Sequence, residues 1–392
     1  MILSAALWII AIPAAAASSY LFVLTALSAR LPPRAPSARK LRFDVIVPAH
    51  NEHAVIANII ASLQRLDWPS DQFRIVVVAD NCTDDTAAIA TAAGAHVMQR
   101  FDSEQRGKGY ALSFAFAASR ARGWADAVVV IDADAKASPN LLESFAQRIE
   151  GGEQAVQAHY GVSNTNASWR TRLLSIAKAS FHIVRSRARE RLGLSCGIRG
   201  NGWCVTHALL EKVPYKAFSL TEDLEFGIEL GMSGYRVAYA DEAHADAEMV
   251  TGEKDARKQR QRWEQGRFQL VREKTLPLLR RALVNRSAVC LDLALDLIVL
   301  PLSYVVLNVA ALIVLATVAA TQGVSQAWQW LGVGCAVSLL FYTLRGWQLS
   351  GAGLRGLLDL ARVPFFLVWK IAVMARGRHS KEWVRTNREE GP

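Results

Sequence analysis

The sequence predicts an α/β protein, an open and mostly parallel sheet flanked by helices, joined to transmembrane and interfacial helices. Three observations lead there. Short β-branched apolar runs alternate with helical patterns through the first 150 residues, residues 2 to 29 carry no Asp, Glu, Lys or Arg, and the chain turns apolar again after Arg286. With 392 residues, 52% of them hydrophobic and 20% charged, the composition is too apolar for an ordinary soluble enzyme and too charged for a channel or transporter.

Phe43–Ala49, Phe73–Ala79 and Ala127–Ile131 are runs of the kind that strands buried on both faces show. Helical patterns at 53–66, 84–93 and 108–121 separate them. Strands alternating with helices place function at the C-terminal strand ends. Two segments fall there, Pro48-Ala49-His50-Asn51-Glu52 and Asp80-Asn81-Cys82-Thr83-Asp84. Thr83 and Asp84 suit a helix N-cap, whereas Asp80 directly follows a buried run and brings its carboxylate to the crevice. A second half, about 151–250, holds a strand at 154–162, a long basic helix at about 167–192 and a Gly-rich turn at 197–202 near the substrate.

The charge-free segment 1–29 is long enough to cross a hydrocarbon core of about 30 Å at about 1.5 Å per residue. Arg30, Arg34, Arg39, Lys40 and Arg42 follow it without an acid, so the positive-inside bias puts the next domain, 30–252, in the cytoplasm. From Glu253 to Arg286 eleven Lys/Arg face four Asp/Glu, interleaved with leucines. That pattern predicts basic amphipathic helices over 253–287 lying on an anionic membrane rather than on nucleic acid. In the C-terminal region, 288–376, spans are expected at about 298–320 and 328–344, with Trp328 and Trp330 at the interface. The stretch 357–374 is read as interfacial or re-entrant, and 377–392 as a basic cytoplasmic tail. Five cysteines without CxxC spacing argue against a zinc site or a disulfide framework.

Asp132 and Asp134, at i and i+2 after the third run, can present oxygen ligands to one divalent cation. Mg²⁺ or Mn²⁺ usually completes its shell with water and substrate phosphates, so two carboxylates suffice. Arg106-Gly107-Lys108-Gly109 opens a helix, where glycines let the backbone approach an anion. Thr221-Glu222-Asp223 begins another helix; acids are favoured there in any case, and one of them can serve as a general base. Asp223 takes that role, with Glu222 as its positioning partner. Gln259, Arg262 and Trp263 share a helix face, Arg262 suited to a diphosphate leaving group and Trp263 to a sugar ring or to the bilayer interface.

Together these residues resemble the processive, membrane-embedded branch of family 2 glycosyltransferases, the cellulose, chitin, hyaluronan and bacterial exopolysaccharide synthases. Pro48-Ala49-His50-Asn51-Glu52, Asp80, Arg106-Gly107-Lys108-Gly109, Asp132-Ala133-Asp134, Thr221-Glu222-Asp223 and Gln259-x-x-Arg262-Trp263 carry the resemblance, in that order. It implies a GT-A-type fold, a nucleotide-sugar donor such as a UDP-sugar, Mg²⁺ or Mn²⁺, and inversion at the anomeric carbon. Pro48, His50, Glu52, Asp80, Arg106, Lys108, Asp132, Gln259 and Arg262 would then bind the donor. Asp134 with Asp132 would hold the metal, Asp223 with Glu222 would be catalytic, and Trp263 would meet the acceptor. The acceptor would be a growing glycan, with polysaccharide-export components as further partners, and the protein would be multi-pass in a bacterial plasma membrane. Two spans after the catalytic domain are few for a polymer channel, which keeps open single-sugar transfer to a lipid-linked acceptor. A silent nucleotide-sugar-binding partner is the remaining alternative.

Overall fold

The structure is a computed structural model that describes residues 2–249 and 253–363. It contains two compact units. One joins Arg30–Asn164 to Arg189–Ala294; the other gathers the residues up to Ala29, Thr165–Ala188 and the stretch from Leu295 onward.

The first unit is built on an eight-stranded sheet: β1 (Phe43–Ala49), β2 (Phe73–Asp80), β3 (His96–Arg100), β4 (Ala127–Val130), β5 (Ala135–Ala137), β6 (Ala155–Val162), β7 (Trp203–Thr206) and β8 (Ala238–Ala247). Their order is β3-β2-β1-β4-β7-β6-β8-β5. Parallel pairing joins β3, β2, β1 and β4, and also β6 and β8, while β7 and β5 pair antiparallel. This is the mostly parallel, helix-flanked α/β sheet that the sequence predicts. Because side chains alternate along a strand, Val45, Val47, Val77 and Val129 face one core with the helices Ile56–Leu63 and Leu141–Glu150. Ile46, Val76, Val78, Val128 and Val130 face the other, with the helices Lys108–Arg122 and Glu222–Met232. Continuous β-branched runs read as they do because both faces are covered.

The chain leaves β1 for β2 and β3 on one side and returns on the other as β4, which puts the topological switch beside the end of β1. Pro48 sharpens the opening. The β1–β4 ladder ends where Ile131 N–H donates to the Ile46 carbonyl, and Pro48, which has no N–H, offers no further rung on that side.

Beneath the sheet, Asp44 is 1% exposed and accepts both arms of Arg74, at 2.8 and 2.9 Å, together with the Ser119 hydroxyl. Asp44→Ala would leave the partly buried Arg74 guanidinium without its carboxylate and take one of two partners from the Ser119 hydroxyl. The expected cost is about 3 kcal/mol, typical of breaking one side of a buried pair, seen as a lowered Tm in detergent.

In the second unit, among the described residues, three helices are long and apolar enough to cross a membrane: Leu3–Ala26, Leu302–Thr321 and Ala327–Leu349. Leu7, Ala11, Ala14, Ala17 and Leu21 recur at helical spacing and pack with Leu312, Ala316 and Tyr342. Trp8 meets Trp328 edge-on at 4.8 Å, and Arg345 bonds the Ser28 hydroxyl and carbonyl, each at 3.0 Å. The first and third of these helices therefore run parallel. The expected span at 298–320 starts later, because Pro301 separates the helices Ala288–Ile298 and Leu302–Thr321. The span expected at 328–344 is longer, Ala327–Leu349.

The helix expected at 167–192 is interrupted. Trp169–Ala179 runs into a π turn at Ser180–Val184 before Arg185–Arg191 resumes. Ser180 offers its carbonyl to the Tyr342 hydroxyl at 2.9 Å, and that hydroxyl accepts from Arg185 Nε at 2.8 Å. Arg185 also pairs with Asp296 at 2.8 Å. Gly346 leaves room for this turn, since a Cβ there would lie 1.8 Å from Ser180 Oγ. Residues 165–188 thus cluster with the apolar helices, whereas the sequence reading had enclosed them in 30–252. Of the stretch 357–374, the structure describes only the end of the helix Gly353–Asp359 and the turn Leu360–Arg362 up to residue 363. The rest of it, and the tail 377–392, lie outside the described residues.

Candidate active site

The C-terminal ends of β1 and β2 carry matched turns. Asn51 and Asn81, each just past a strand end, adopt φ of 55° and 52°, a left-handed conformation that Asn tolerates. Asn51 Oδ1 accepts from the Thr83 N–H at 2.7 Å, and Asn81 Oδ1 accepts from the Asp102 N–H at 2.8 Å. His50 Nδ1–H donates to the Asp80 carbonyl at 2.7 Å, and the Glu52 N–H donates to Thr86 Oγ1 at 2.8 Å. Pro48, His50, Glu52 and Asp80 are therefore brought together at one strand-end rim. Asp84 accepts from the N–H and hydroxyl of Thr86 and from His53. Burial opposes its ionisation, but these bonds hold its carboxyl down at about 2. Cys82 packs against Ala49 with its thiol pushed up by burial, as a structural cysteine would.

Asp80 does not stand free. Arg100, at the end of β3, holds its Oδ1 at 2.7 Å and reaches Asp102 at 3.0 Å. Arg100 was not among the residues singled out from sequence, because His96–Arg100 lacks a β-branched run and reads as loop.

Lys108 is the centre of the second cluster. Its Nζ lies 2.5 Å from Asp132 Oδ1, 2.6 Å from the Gly200 carbonyl and 3.8 Å from Glu222 Oε1. The Asp223 carboxylate borders the same turn, 3.2 Å from where a Cβ on Gly200 would sit. Burial would lower the Lys108 pKa, but Asp132, Glu222 and Asp223 together raise it, so the ammonium stays charged. Burial pushes Glu222 up to about 7 and Asp223 upward as well, against the pull of Lys108. The cause is the packing under the helix Glu222–Met232, where Phe226, Trp203 and Tyr215 form an aromatic bed.

The Gly-rich turn builds this cluster. Gly197, Gly200 and Gly202 have φ of 73°, 86° and 69°, a region costly for residues with a Cβ. Asn201 between them is fully buried, and its Oδ1 accepts from the Asp132 N–H at 3.0 Å. Gln157 Nε2 in turn donates to the Asn201 carbonyl at 2.7 Å. Asn201 and Gln157 are thus further site-building residues, for which the only sequence signal was the glycines around Asn201.

The Arg106–Gly109 turn differs from its sequence reading. A Cβ on Gly109 would fall 2.3 Å from the Ala217 carbonyl, so this glycine permits protein packing rather than approach of an anion. Arg106 is exposed, with its Nε donating to Ser103, and Lys108 points to carboxylates.

Gln259, Arg262 and Trp263 lie, each half-buried, on one helix, Glu253–Val284, where more than one amphipathic helix was expected. One turn after Arg262, Gly266 sits against Thr221; a Cβ there would be 2.5 Å from Thr221 Cγ2 and 2.8 Å from its Oγ1. That contact sets the Arg262 helix beside the acids. Gly266→Ala should therefore lower turnover about ten-fold, the scale of a small displacement at a reacting centre, and Thr221→Ala should restore most of it in the double variant.

Asp132 and Asp134, both partly exposed, follow β4. Asp132 already takes an ammonium cation on its Oδ1, which shows an oxygen placed to receive positive charge. Among the described residues no three His, Cys, Asp or Glu side chains gather as a closed ligand set. The pair fits Mg²⁺ or Mn²⁺ that draws its other ligands from a phosphate-bearing molecule and water.

Comparison with known proteins agrees with this construction. The family described as Glycosyltransferase like family 2 matches residues 41–266. The chain is 30% identical over 235 residues to a beta-monoglucosyldiacylglycerol synthase of Synechocystis, a match spanning 57% of this chain and 47% of that protein. A probable glycosyltransferase of Bacillus subtilis is 26% identical over 245 residues, 59% of this chain and 56% of its own. The chain thus spans about half the length of the curated relatives it matches. A mannosyltransferase of Pyrobaculum calidifontis, solved with GDP-Man and Mn²⁺, shares the fold with a TM-score of 0.56 at 20% identity, over 90% of this chain and 99% of that one. The match at 41–266 covers more than half of the chain and includes all eight strands, both acidic clusters and Arg262, and on that ground the chain belongs to glycosyltransferase-like family 2.

Proposed function

We propose that this protein transfers a sugar from a nucleoside-diphosphate donor, a UDP-sugar in the first instance, to a lipid acceptor at the membrane, inverting the anomeric centre. The observation that carries the transfer is the meeting of Asp132, Glu222 and Asp223 around Lys108 at the strand ends. The lipid acceptor is supported by three helices fit to cross a membrane among the described residues and by relatives named as monoglucosyldiacylglycerol synthases. The setting is a plasma membrane, with the sheet-bearing unit on the cytoplasmic side, where Arg30, Arg34, Arg39, Lys40 and Arg42 follow the first span. Addition to a growing exopolysaccharide is the second reading, favoured by the Gln259, Arg262 and Trp263 series on its helix.

In this mechanism the base of the nucleotide rests at the rim made by Pro48, His50, Glu52 and Asp80. A divalent ion on Asp134 and Asp132 would supply charge neutralisation at the diphosphate. Asp223 accepts the proton of the acceptor hydroxyl as its oxygen bonds to the anomeric carbon. The bond from that carbon to the phosphate oxygen breaks, its electron pair leaving with the nucleoside diphosphate. Arg262 meets the charge that grows on this leaving group. Trp263 offers a flat apolar surface to the acceptor.

The test is purified protein in lipid vesicles with radiolabelled UDP- and GDP-sugars, with and without Mn²⁺. A labelled glycolipid of one added sugar is the expected product. A long polymer would replace the first reading by the second, and absence of any donor turnover would sink both.

A further inference from the structure

Lys108 opens its helix next to Gly107, in the turn that sequence assigns to the donor, yet its ammonium faces inward. It touches a carboxylate after β4, a carbonyl of the Gly200 turn and a carboxylate of the helix Glu222–Met232. One cation thus ties together three separate chain segments. Two of the groups involved are expected elsewhere during transfer: Asp132 on a divalent ion, and Asp223, beside the Gly200 turn, on the acceptor hydroxyl.

A divalent ion on Asp132 and an ammonium 2.5 Å from the same carboxylate repel each other strongly in a half-buried site. They cannot both hold it at full strength. We propose that Lys108 is an exchangeable counter-ion: without ligand it holds Asp132 and Glu222 together at the Gly200 turn, and the divalent ion displaces it from Asp132. This rests on the metal-dependent transfer reading above. The released ammonium, four carbons from its backbone anchor, then has donor phosphates as its nearest new anions. Metal and donor are thereby coupled, because the ion gains Asp132 fully only when Lys108 gains another partner.

The experiment measures Mn²⁺ binding to the full chain in detergent by electron paramagnetic resonance of free Mn²⁺, with no nucleotide present. Lys108→Met should bind Mn²⁺ about ten-fold more tightly than wild type, since one competing cation is gone. Its Tm should fall without Mn²⁺ and recover with it. Equal or weaker Mn²⁺ binding by this variant overturns the proposal. If Lys108→Met does not fold, Lys108→Arg carries the test: a two-pronged guanidinium grips a carboxylate more firmly than an ammonium, so Mn²⁺ binding should weaken several-fold. Unchanged binding by the Arg variant overturns the proposal equally. Failure of wild type to bind Mn²⁺ even with UDP present would instead overturn the metal-dependent reading on which it rests.

Discussion

Asp223→Asn is expected to lower sugar transfer by about a thousand-fold, the middle of the range for removing a positioned general base. Binding of UDP should change little, because the donor rim at β1 and β2 is built by other residues. The pH profile separates this role from a structural one. Burial lifts Glu222 to about 7 and lifts Asp223 too, so the pair gives up its protons later than free carboxylates. Transfer should therefore rise with pH into the neutral range, and Glu222→Gln should move that acid limb. Stability runs the opposite way. The folded state keeps a proton that unfolded Glu222 releases near its ordinary 4.5, so stability falls as pH rises from about there to about 7. Glu222→Gln should flatten this fall. A wild-type acid limb that stays below pH 5, or an Asp223→Asn variant of undiminished activity, would remove both carboxylates from the chemistry.

The residues behind that prediction were legible for a definite reason. Strands buried on both faces must use β-branched residues throughout, and Val128-Val129-Val130-Ile131 announces its own end, where Asp132 follows. The strand β8 hides by contrast. Its buried positions include Ala238, Ala240, Ala243, Ala245 and Ala247, with Tyr239, acids and a His between them and a shift in register after Ala158 on the partner strand. Alanine gives the alternation without the β-branched signal, so the strand that completes the floor beneath Asn201 reads as loop. The strand β3 was lost in the same way, and with it Arg100. The π turn at Ser180–Val184 has no local signature at all; it depends on Gly346 and Tyr342, more than 150 residues away in sequence. Chemistry at strand ends could be read forward from runs. Partners set by distant contacts could not.

Arg262 sets the second large effect. Its Nε is buried, and it finds no hydrogen-bond acceptor among the described residues. A buried donor left in this way costs about 1–3 kcal/mol, so a fold that keeps it gains nothing in stability from that N–H. The helix is nevertheless pressed close to Thr221 at Gly266, one turn after Arg262 and against the residue that precedes Glu222. A guanidinium whose buried Nε–H has no acceptor among the described residues is suited to an anion that arrives with the substrate, and the diphosphate leaving group is that anion in the proposed reaction. Arg262→Ala should lower kcat about 300-fold, comparable to deleting one preorganised donor at a developing charge. Arg262→Lys should recover only part of it, because an ammonium keeps the charge without the fork. The donor KM should move less than kcat, since the charge that Arg262 meets is largest after the bond to the sugar has begun to break. Tm should hold steady or rise slightly as the unsatisfied donor is removed. A large fall in Tm with kcat preserved in the surviving protein would mean that Arg262 serves the packing of its helix and not the leaving group.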